Sequence, residues 1–202
     1  MHRAALRRAL PLLLAALAGG CDQPPTREMT AAQNALAEAR QQEAALYAPD
    51  LLKEAETAFE AARQKVEQKD YRGALSSAVD AAEKARSAGT AVPSAKMLLK
   101  GGAEVAQAEA QAALDEVAAV REEAAKAKVP DAAFEAVAPR VAEVEAALKA
   151  VTDHLAQGDL IAAQKAGAEL KPIASSVKTD FRAAVDKWLQ EHPKGRKPAK
   201  KK

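Results

Sequence analysis

Cysteine, aromatic residues and glycine are scarce in this chain of 202 residues. It contains one Cys, three His, three Phe, two Tyr, one Trp and nine Gly. A single Cys excludes a disulfide framework and a thiolate metal cluster, and so few His exclude a multi-His metal site. The shortage of β-branched and aromatic residues excludes a β-sandwich or a Rossmann-type sheet. An all-α protein is therefore the expected class.

Alanine dominates what remains. Ala, Glu, Lys, Leu and Arg together make up more than half of the chain, a balance that is typical of long helices and coiled coils. Apolar residues recur at alternating steps of three and four, which is the spacing of a helix-packing face. The sequence predicts an elongated antiparallel helical bundle or coiled coil. Because Ala buries little area, we expect long contacts and a weak core in each bundle.

The N-terminal segment has the pattern of an export signal. Arg3, Arg7 and Arg8 precede an apolar run of about ten residues, which is too short to span a bilayer. Leu17-Ala18-Gly19-Gly20-Cys21 follows and resembles the lipobox of bacterial lipoproteins, although Ala18 stands where that family usually has Leu. The resemblance implies that Cys21 carries a diacylglyceryl thioether and an N-acyl group, and that this covalent lipid is the only non-protein group.

Two alternatives to lipidation stay open from the residues alone. The leader also fits an ordinary secretory cleavage that leaves a free thiol, or an uncleaved anchor. Asp22 after the Cys favours inner-membrane retention in some bacterial lineages and not in others. The sequence therefore predicts a lipid-anchored protein that faces the periplasm and leaves the choice between inner and outer membrane open.

Charge is segregated along the chain. The net charge is +2, and since the leader carries +3 and the C-terminal tail +6, the body between them carries −7. The cationic residues of the tail are Lys194, Arg196, Lys197, Lys200, Lys201 and Lys202. Three interpretations fit them: electrostatic contact with anionic lipid or cell-wall polymer, covalent attachment to peptidoglycan, or a passive solubilising tail. Export and the absence of interleaved aromatic residues argue against nucleic acid.

Six helices are predicted in two groups of three. They cover about 29–47, 51–68, 71–88, 94–127, 134–155 and 160–188. Thr26 or Thr30 is expected to cap the first helix, Gly89 to end the third, and Ser94 to cap the fourth. Gly101-Gly102 suggests a hinge, and Pro139 and Pro172 suggest kinks.

The two groups share a pattern of turns. Residues 47–50 (YAPD) correspond to 128–131 (KVPD), and residues 68–71 (QKDY) correspond to 157–160 (QGDL). This correspondence predicts two tandem three-helix units, unless it reflects only the general similarity of Ala-rich helices. The predicted organisation is a signal peptide at 1–20, a tether at 21–27, the first unit at 28–92, the second unit at 93–191, and a basic tail at 192–202.

The first unit resembles a known family. The order of YAPD, a helix, and then KDY followed by spaced Ala, between about 30 and 91, is similar to the bacterial envelope family called domain of unknown function 4398. The resemblance covers about a third of the chain. It implies an Ala-rich helical domain placed after a lipoprotein leader, and no catalytic residues.

Candidate catalytic residues are few. Ser175 and Lys178 have the S-x-x-K spacing of penicillin-recognising enzymes, but the S-D-N and K-T-G elements of those enzymes do not occur in the chain. His154 stands near the end of a predicted helix, where a solvated ring or one facing the helix dipole is expected. The sequence therefore predicts no catalytic, cofactor-binding or metal-binding residue.

These features together predict a non-enzymatic envelope lipoprotein. The expected role is a helical scaffold or spacer that binds peptidoglycan or envelope proteins through exposed helix faces, and a homo-oligomer is compatible with it. Two alternatives remain: a periplasmic carrier of a hydrophobic ligand, which requires a cavity, and an envelope-polymer hydrolase with a site that the sequence does not reveal.

Overall fold

The protein is an all-α helical bundle, as predicted. In a computed structural model that describes residues 23–193, every regular element is helical and none is a strand. The elements are α1 (Thr26–Gln41), α2 (Ala44–Tyr47), α3 (Pro49–Glu67), α4 (Tyr71–Lys126), a 3₁₀ turn (Asp131–Phe134), α5 (Ala138–Gln157) and α6 (Leu160–Glu191). The chain divides between Val92 and Pro93 into two compact units, and α4 contributes to both.

In the first unit, α1, α3 and the first part of α4 form an up-down-up bundle. The chain reverses through residues 42–48, and Arg40 of α1 forms an ion pair of 2.6 Å with Glu56 of α3. It reverses again at Lys69, and Lys65 of α3 donates to Ser77 of α4 at 2.8 Å. The helices α1 and α4 are therefore parallel to each other, and α3 runs antiparallel to both.

Alanine forms almost all of the core of the first unit. The buried residues that pack together are Ala32, Ala35, Leu36, Ala39, Ala44, Ala48, Leu52, Ala55, Ala58, Ala81, Ala82, Ala85, Ala88 and Val92. Tyr47 and Phe59 are partly buried against them. Because a methyl group contributes only about 0.8 kcal/mol when buried, this core depends on many small contacts along the helices.

The second unit is also an up-down-up bundle. Lys171 and Lys178 of α6 pair with Glu109 and Glu116 of α4, at 3.2 and 3.3 Å. Both pairs are 62 residues apart in sequence, so α6 runs parallel to this part of α4. Arg140 of α5 pairs with Asp180 of α6, while Gln107 of α4 donates to Thr152 of α5 at 2.9 Å. These contacts place α5 antiparallel to both neighbours.

Larger side chains fill the core of the second unit. The largest fully buried side chains among residues 23–193 are Phe181, Leu170, Val144, Val151 and Val177, and all of them lie here. Phe134 stacks on Phe181 with ring centroids 4.5 Å apart. The guanidinium of Arg121 lies 5.8 Å from the centroid of the Phe134 ring and 5.7 Å from that of Phe181, within the range of a cation–π attraction to both rings.

Three helices end in the same left-handed turn. Lys69, Lys128 and Gly158 have φ values of 63°, 64° and 74°. In each turn the amide of the next residue donates to a carbonyl five positions earlier, as in a Schellman motif. After two of these turns an aspartate caps the following helix: Asp70 accepts from the amide of Gly73 at 2.9 Å, and Asp159 accepts from that of Ala162 at 3.1 Å.

The predicted break between the third and fourth helices is wrong. Residues from Tyr71 to Lys126 form one helix of 56 residues, so Gly89 does not end a helix and Ser94 does not cap one. Gly101-Gly102 also lies inside this helix. Pro93 has no N–H to donate to the carbonyl of Gly89, four positions earlier, and an interior proline costs about 3 kcal/mol. Burial of Ala85, Ala88 and Val92 beside this position offsets that cost.

Other predicted helix ends also differ. The first helix begins at Thr26 without a side-chain cap and ends at Gln41, and Thr30 donates to the carbonyl of Thr26 instead of capping. Pro139 lies in the first turn of α5 and does not kink a helix, because the missing N–H has no intrahelical partner at that position. Pro172 does lie inside a helix, since α6 continues on both sides of it. Phe134 belongs to the 3₁₀ turn that precedes α5.

We predict that Gly101→Ala stabilises the protein and that Gly158→Ala destabilises it. A Cβ at residue 101 meets nothing within 4 Å, and Ala is favoured over Gly in a helix interior by about 0.5–1 kcal/mol. At Gly158 the positive φ disfavours a Cβ by about 1 kcal/mol. Urea unfolding followed by circular dichroism measures both changes, and a loss of stability in Gly101→Ala would contradict a continuous α4.

Candidate functional surfaces

The residues that the sequence assigns to anchoring lie outside residues 23–193. They are Cys21, the predicted lipid attachment site, and the tail cations Lys194, Arg196, Lys197, Lys200, Lys201 and Lys202. The structure therefore neither places these side chains together nor separates them. It does define the two positions where they join the described body, which are Gln23 before α1 and Pro193 after α6.

Ser175 and Lys178 are engaged in structural contacts. The exposed hydroxyl of Ser175 donates to the carbonyl of Pro172 at 2.9 Å. The ammonium of Lys178 points to α4, where it pairs with Glu116 at 3.3 Å. A lysine that activates a serine must lie within hydrogen-bond distance of its hydroxyl. Here each side chain has another partner instead.

His154 lies in the last turn of α5 and is half-buried. Its Nδ1 is buried without a hydrogen-bond partner, as is Oε1 of Gln164 on α6. The Gln164 side chain covers Gly102, since its Oε1 is 2.3 Å from the position of a Cβ there. These polar atoms lie at helix contacts, and no group of three or more potential metal ligands occurs among residues 23–193.

The end of α6 carries an aromatic pair. Trp188 is partly buried against the core of the second unit. Its ring stacks on His192 with centroids 4.5 Å apart, and Nδ1 of His192 lies 3.0 Å from the Trp188 carbonyl. The pair ends the described body directly before the basic tail.

An open groove runs between α3 and α4 in the first unit. It measures about 730 Å³. Ala58 and Ala61 lie in it, and charged side chains of both signs line it, including Lys53, Asp80 and Lys84. Because positive and negative side chains are mixed on this open surface, they do not form a cluster of one sign that would bind a small anion or cation.

A second apolar face on α4 is exposed. Its residues follow steps of three and four in the second unit, and we call them the outer seam: Leu98, Gly101, Val105, Ala108 and Ala112. Leu98 is 77% exposed and Val105 is 55% exposed. The buried face of the same helix contains Ala103, Ala106 and Ala110, none of which belongs to the outer seam. Thus α4 has apolar residues on two faces, and only one of them is used in the bundle.

Ile161 of α6 is another exposed apolar residue at this level of the second unit. The offset of 62 residues between α6 and α4 places it level with residue 99, one position along the axis from Leu98. Large apolar side chains that cluster on a surface typically mark an interaction site. The outer seam was not predicted, although its heptad spacing is present in the sequence, because Gly101, Ala108 and Ala112 are indistinguishable from the many other small residues of the chain.

None of the helices in the described part of the chain is both long and apolar enough to span a membrane. The chain matches no protein-family model, no curated protein and no solved structure. The resemblance to the domain of unknown function 4398 family therefore stays a prediction.

We predict that Leu98→Glu and Val105→Glu together leave the fold intact. Both side chains are exposed, so the free energy of unfolding changes by less than about 0.5 kcal/mol. The control is Val117→Glu on the buried face of the same helix, where a 4% exposed residue becomes an unpaired charge at a cost of roughly 3 kcal/mol or more. Thermal unfolding distinguishes the two, and an equal loss in both variants would assign the outer seam to the core.

Proposed function

We propose that the protein is a non-enzymatic, lipid-anchored scaffold of the bacterial cell envelope that binds a helical partner protein through the outer seam of α4. Cys21 holds it to a membrane on the periplasmic side. The observation that carries the proposal is the outer seam itself: apolar residues at the spacing of a helix–helix contact, with Leu98 and Val105 exposed to solvent.

The size of the outer seam supports a helical partner. Gly101, Ala108 and Ala112 are small, so a second helix can approach the backbone of α4 closely, while Leu98 and Val105 provide side chains that insert between its residues. Five positions from Leu98 to Ala112 extend over about 21 Å at 1.5 Å per residue, which matches a helix of four turns. Such a helix buries an apolar stripe that α4 otherwise exposes.

The lipid anchor is supported by the leader pattern and by the lone Cys. Two or more acyl chains are needed for stable anchoring, because each buried CH₂ contributes only about 0.8 kcal/mol. Three acyl groups on Cys21 satisfy this requirement without a membrane-spanning helix. The cationic tail adds electrostatic contact with anionic lipid or cell-wall polymer at the other end of the chain, at about 1 kcal/mol per charge near an anionic membrane.

We predict that Cys21→Ser releases the protein from the membrane fraction. Without acyl chains the remaining contacts are electrostatic, and washing with high salt screens them. Fractionation of wild-type and variant cells, followed by mass spectrometry of the mature N-terminus, measures the change. Retention of Cys21→Ser in salt-washed membranes, or an unmodified N-terminus in the wild type, rules out the anchor.

We predict that a photo-crosslinking residue placed at Leu98 or Val105 captures the same partner in intact cells. The matched control is the same residue at Glu122, which is exposed on α4 at about 100° around the helix from Val105. Loss of the adduct at Leu98 when Val105→Glu is added shows that the outer seam makes the contact. Equal adducts at all three positions, or none in the anchored protein, would refute a seam-specific partner.

A further inference from the structure

One end of the first unit lies next to the predicted anchor. Since α1 is antiparallel to α3 and α3 is antiparallel to α4, the N-terminus of α1 is at the same end as the α3–α4 turn at Lys69. The ion pair between Arg40 and Glu56 and the hydrogen bond between Lys65 and Ser77 fix these directions. An anchor attached at residues 21–25 therefore also keeps the α3–α4 turn close to the anchoring surface.

The register of α1 against α4 places an exposed leucine beside this end. A Cβ at Gly89 lies 3.7 Å from the Cα of Ala39, so these two residues are level with each other. Both helices rise about 1.5 Å per residue. Leu75 lies fourteen positions before Gly89, and Pro25 lies fourteen positions before Ala39, so Leu75 is level with Pro25. Pro25 is buried, but α1 begins after it, and Leu75 is 41% exposed.

Val79 continues this exposed apolar surface one turn further along α4. Arg72 lies one turn before Leu75 and is exposed. The charged residues at this end of the unit are Arg27, Glu28, Lys65, Glu67, Lys69, Asp70 and Arg72. Asp70 caps α4 through the Gly73 amide and keeps its negative charge, so four cations accompany three acids. Exposed apolar side chains beside cations such as Arg72 suit the headgroup region of a phospholipid membrane.

The connection between Cys21 and the bundle is short. The amide of Thr26 donates to the Pro24 carbonyl at 2.8 Å, and the amide of Met29 donates to the Pro25 carbonyl at 3.0 Å. Pro24 and Pro25 are thus attached to α1, and only Asp22 and Gln23 remain as spacer. Three extended steps from Cys21 to Pro24 span at most about 10 Å. A lipid on Cys21 therefore keeps this end of the first unit close to the bilayer surface.

We infer that the end of the first unit formed by the start of α1 and the α3–α4 turn lies on the membrane, with Leu75 in the headgroup region of an anionic phospholipid surface. The inference rests on the proposed lipid anchor. Leu75 is about 6 Å along the axis from the first residue of α4, which is within the ~5–10 Å depth of interfacial side chains. Val79 lies one helical turn further from the membrane than Leu75 and is therefore less deeply inserted.

The test uses full-length acylated protein reconstituted into vesicles of phosphatidylethanolamine and phosphatidylglycerol. Leu75→Cys and Leu51→Cys are each labelled with an environment-sensitive fluorophore, and aqueous iodide measures exposure. Leu51 is the matched control for Leu75, because its exposed fraction of 38% is close to the 41% of Leu75. It lies near the start of α3, at the opposite end of the first unit. We expect iodide quenching at position 75 to fall about three-fold on vesicles, as for a side chain within the interface, and quenching at position 51 to stay unchanged.

The outcomes separate this inference from the proposed anchor. Acylation of Cys21 occupies its sulfur, so the introduced Cys is then the only residue that takes the label. Equal quenching at positions 75 and 51 in vesicle-bound, acylated protein overturns the membrane contact and leaves the anchor standing. Labelling of Cys21 in the purified protein, or failure of that protein to bind vesicles, overturns both. The same label at Leu75→Cys in soluble Cys21→Ser protein gives the quenching expected without a membrane. It also shows whether the Leu75→Cys substitution leaves the fold intact.

Discussion

The close approach of helices through alanine is the constraint on which the structure of this protein depends. A buried Ala contributes about 0.8 kcal/mol, compared with roughly 1.5–3 kcal/mol for a larger aliphatic side chain, so a stable contact between Ala faces must be long. The first unit meets this requirement by burying Ala along α1, α3 and α4. The second unit meets it partly with Phe134, Phe181 and Leu170. We expect the second unit to be the more stable for this reason.

The same constraint affects the surface. When the contact positions of a helix are mostly Ala, its buried and exposed faces differ little in composition, and a second apolar face can be present without disturbing the bundle. The outer seam of α4 is such a face, and Leu98 and Val105 distinguish it from an ordinary Ala-rich surface. Exposed Leu75 has a different origin, because α1 begins at its level and leaves it uncovered.

Sequence patterns identified most helices but several of their ends were misplaced. The turns at Lys69 and Gly158 were found from the matching segments 68–71 (QKDY) and 157–160 (QGDL). The structure adds that Asp70 and Asp159 cap the helices that follow. Gly89, Ser94 and Gly101 gave equally strong signals for breaks, yet all three lie inside α4. Glycine favours a helix end only where φ is positive, and the structure uses Lys69 and Lys128 at such positions. Burial of neighbouring Ala outweighed the local preference within α4.

The sequence by itself determined the helical class and the turns at Lys69 and Gly158, because composition and turn residues are local properties. The anchor at Cys21 stays a prediction of the sequence. Only the tertiary structure decided that α4 continues through Pro93, that α6 is parallel to the second part of α4, and which apolar face of α4 remains exposed. These features depend on which helices contact each other. In an Ala-rich chain many pairings have similar local patterns, so the choice rests on the summed burial of whole faces.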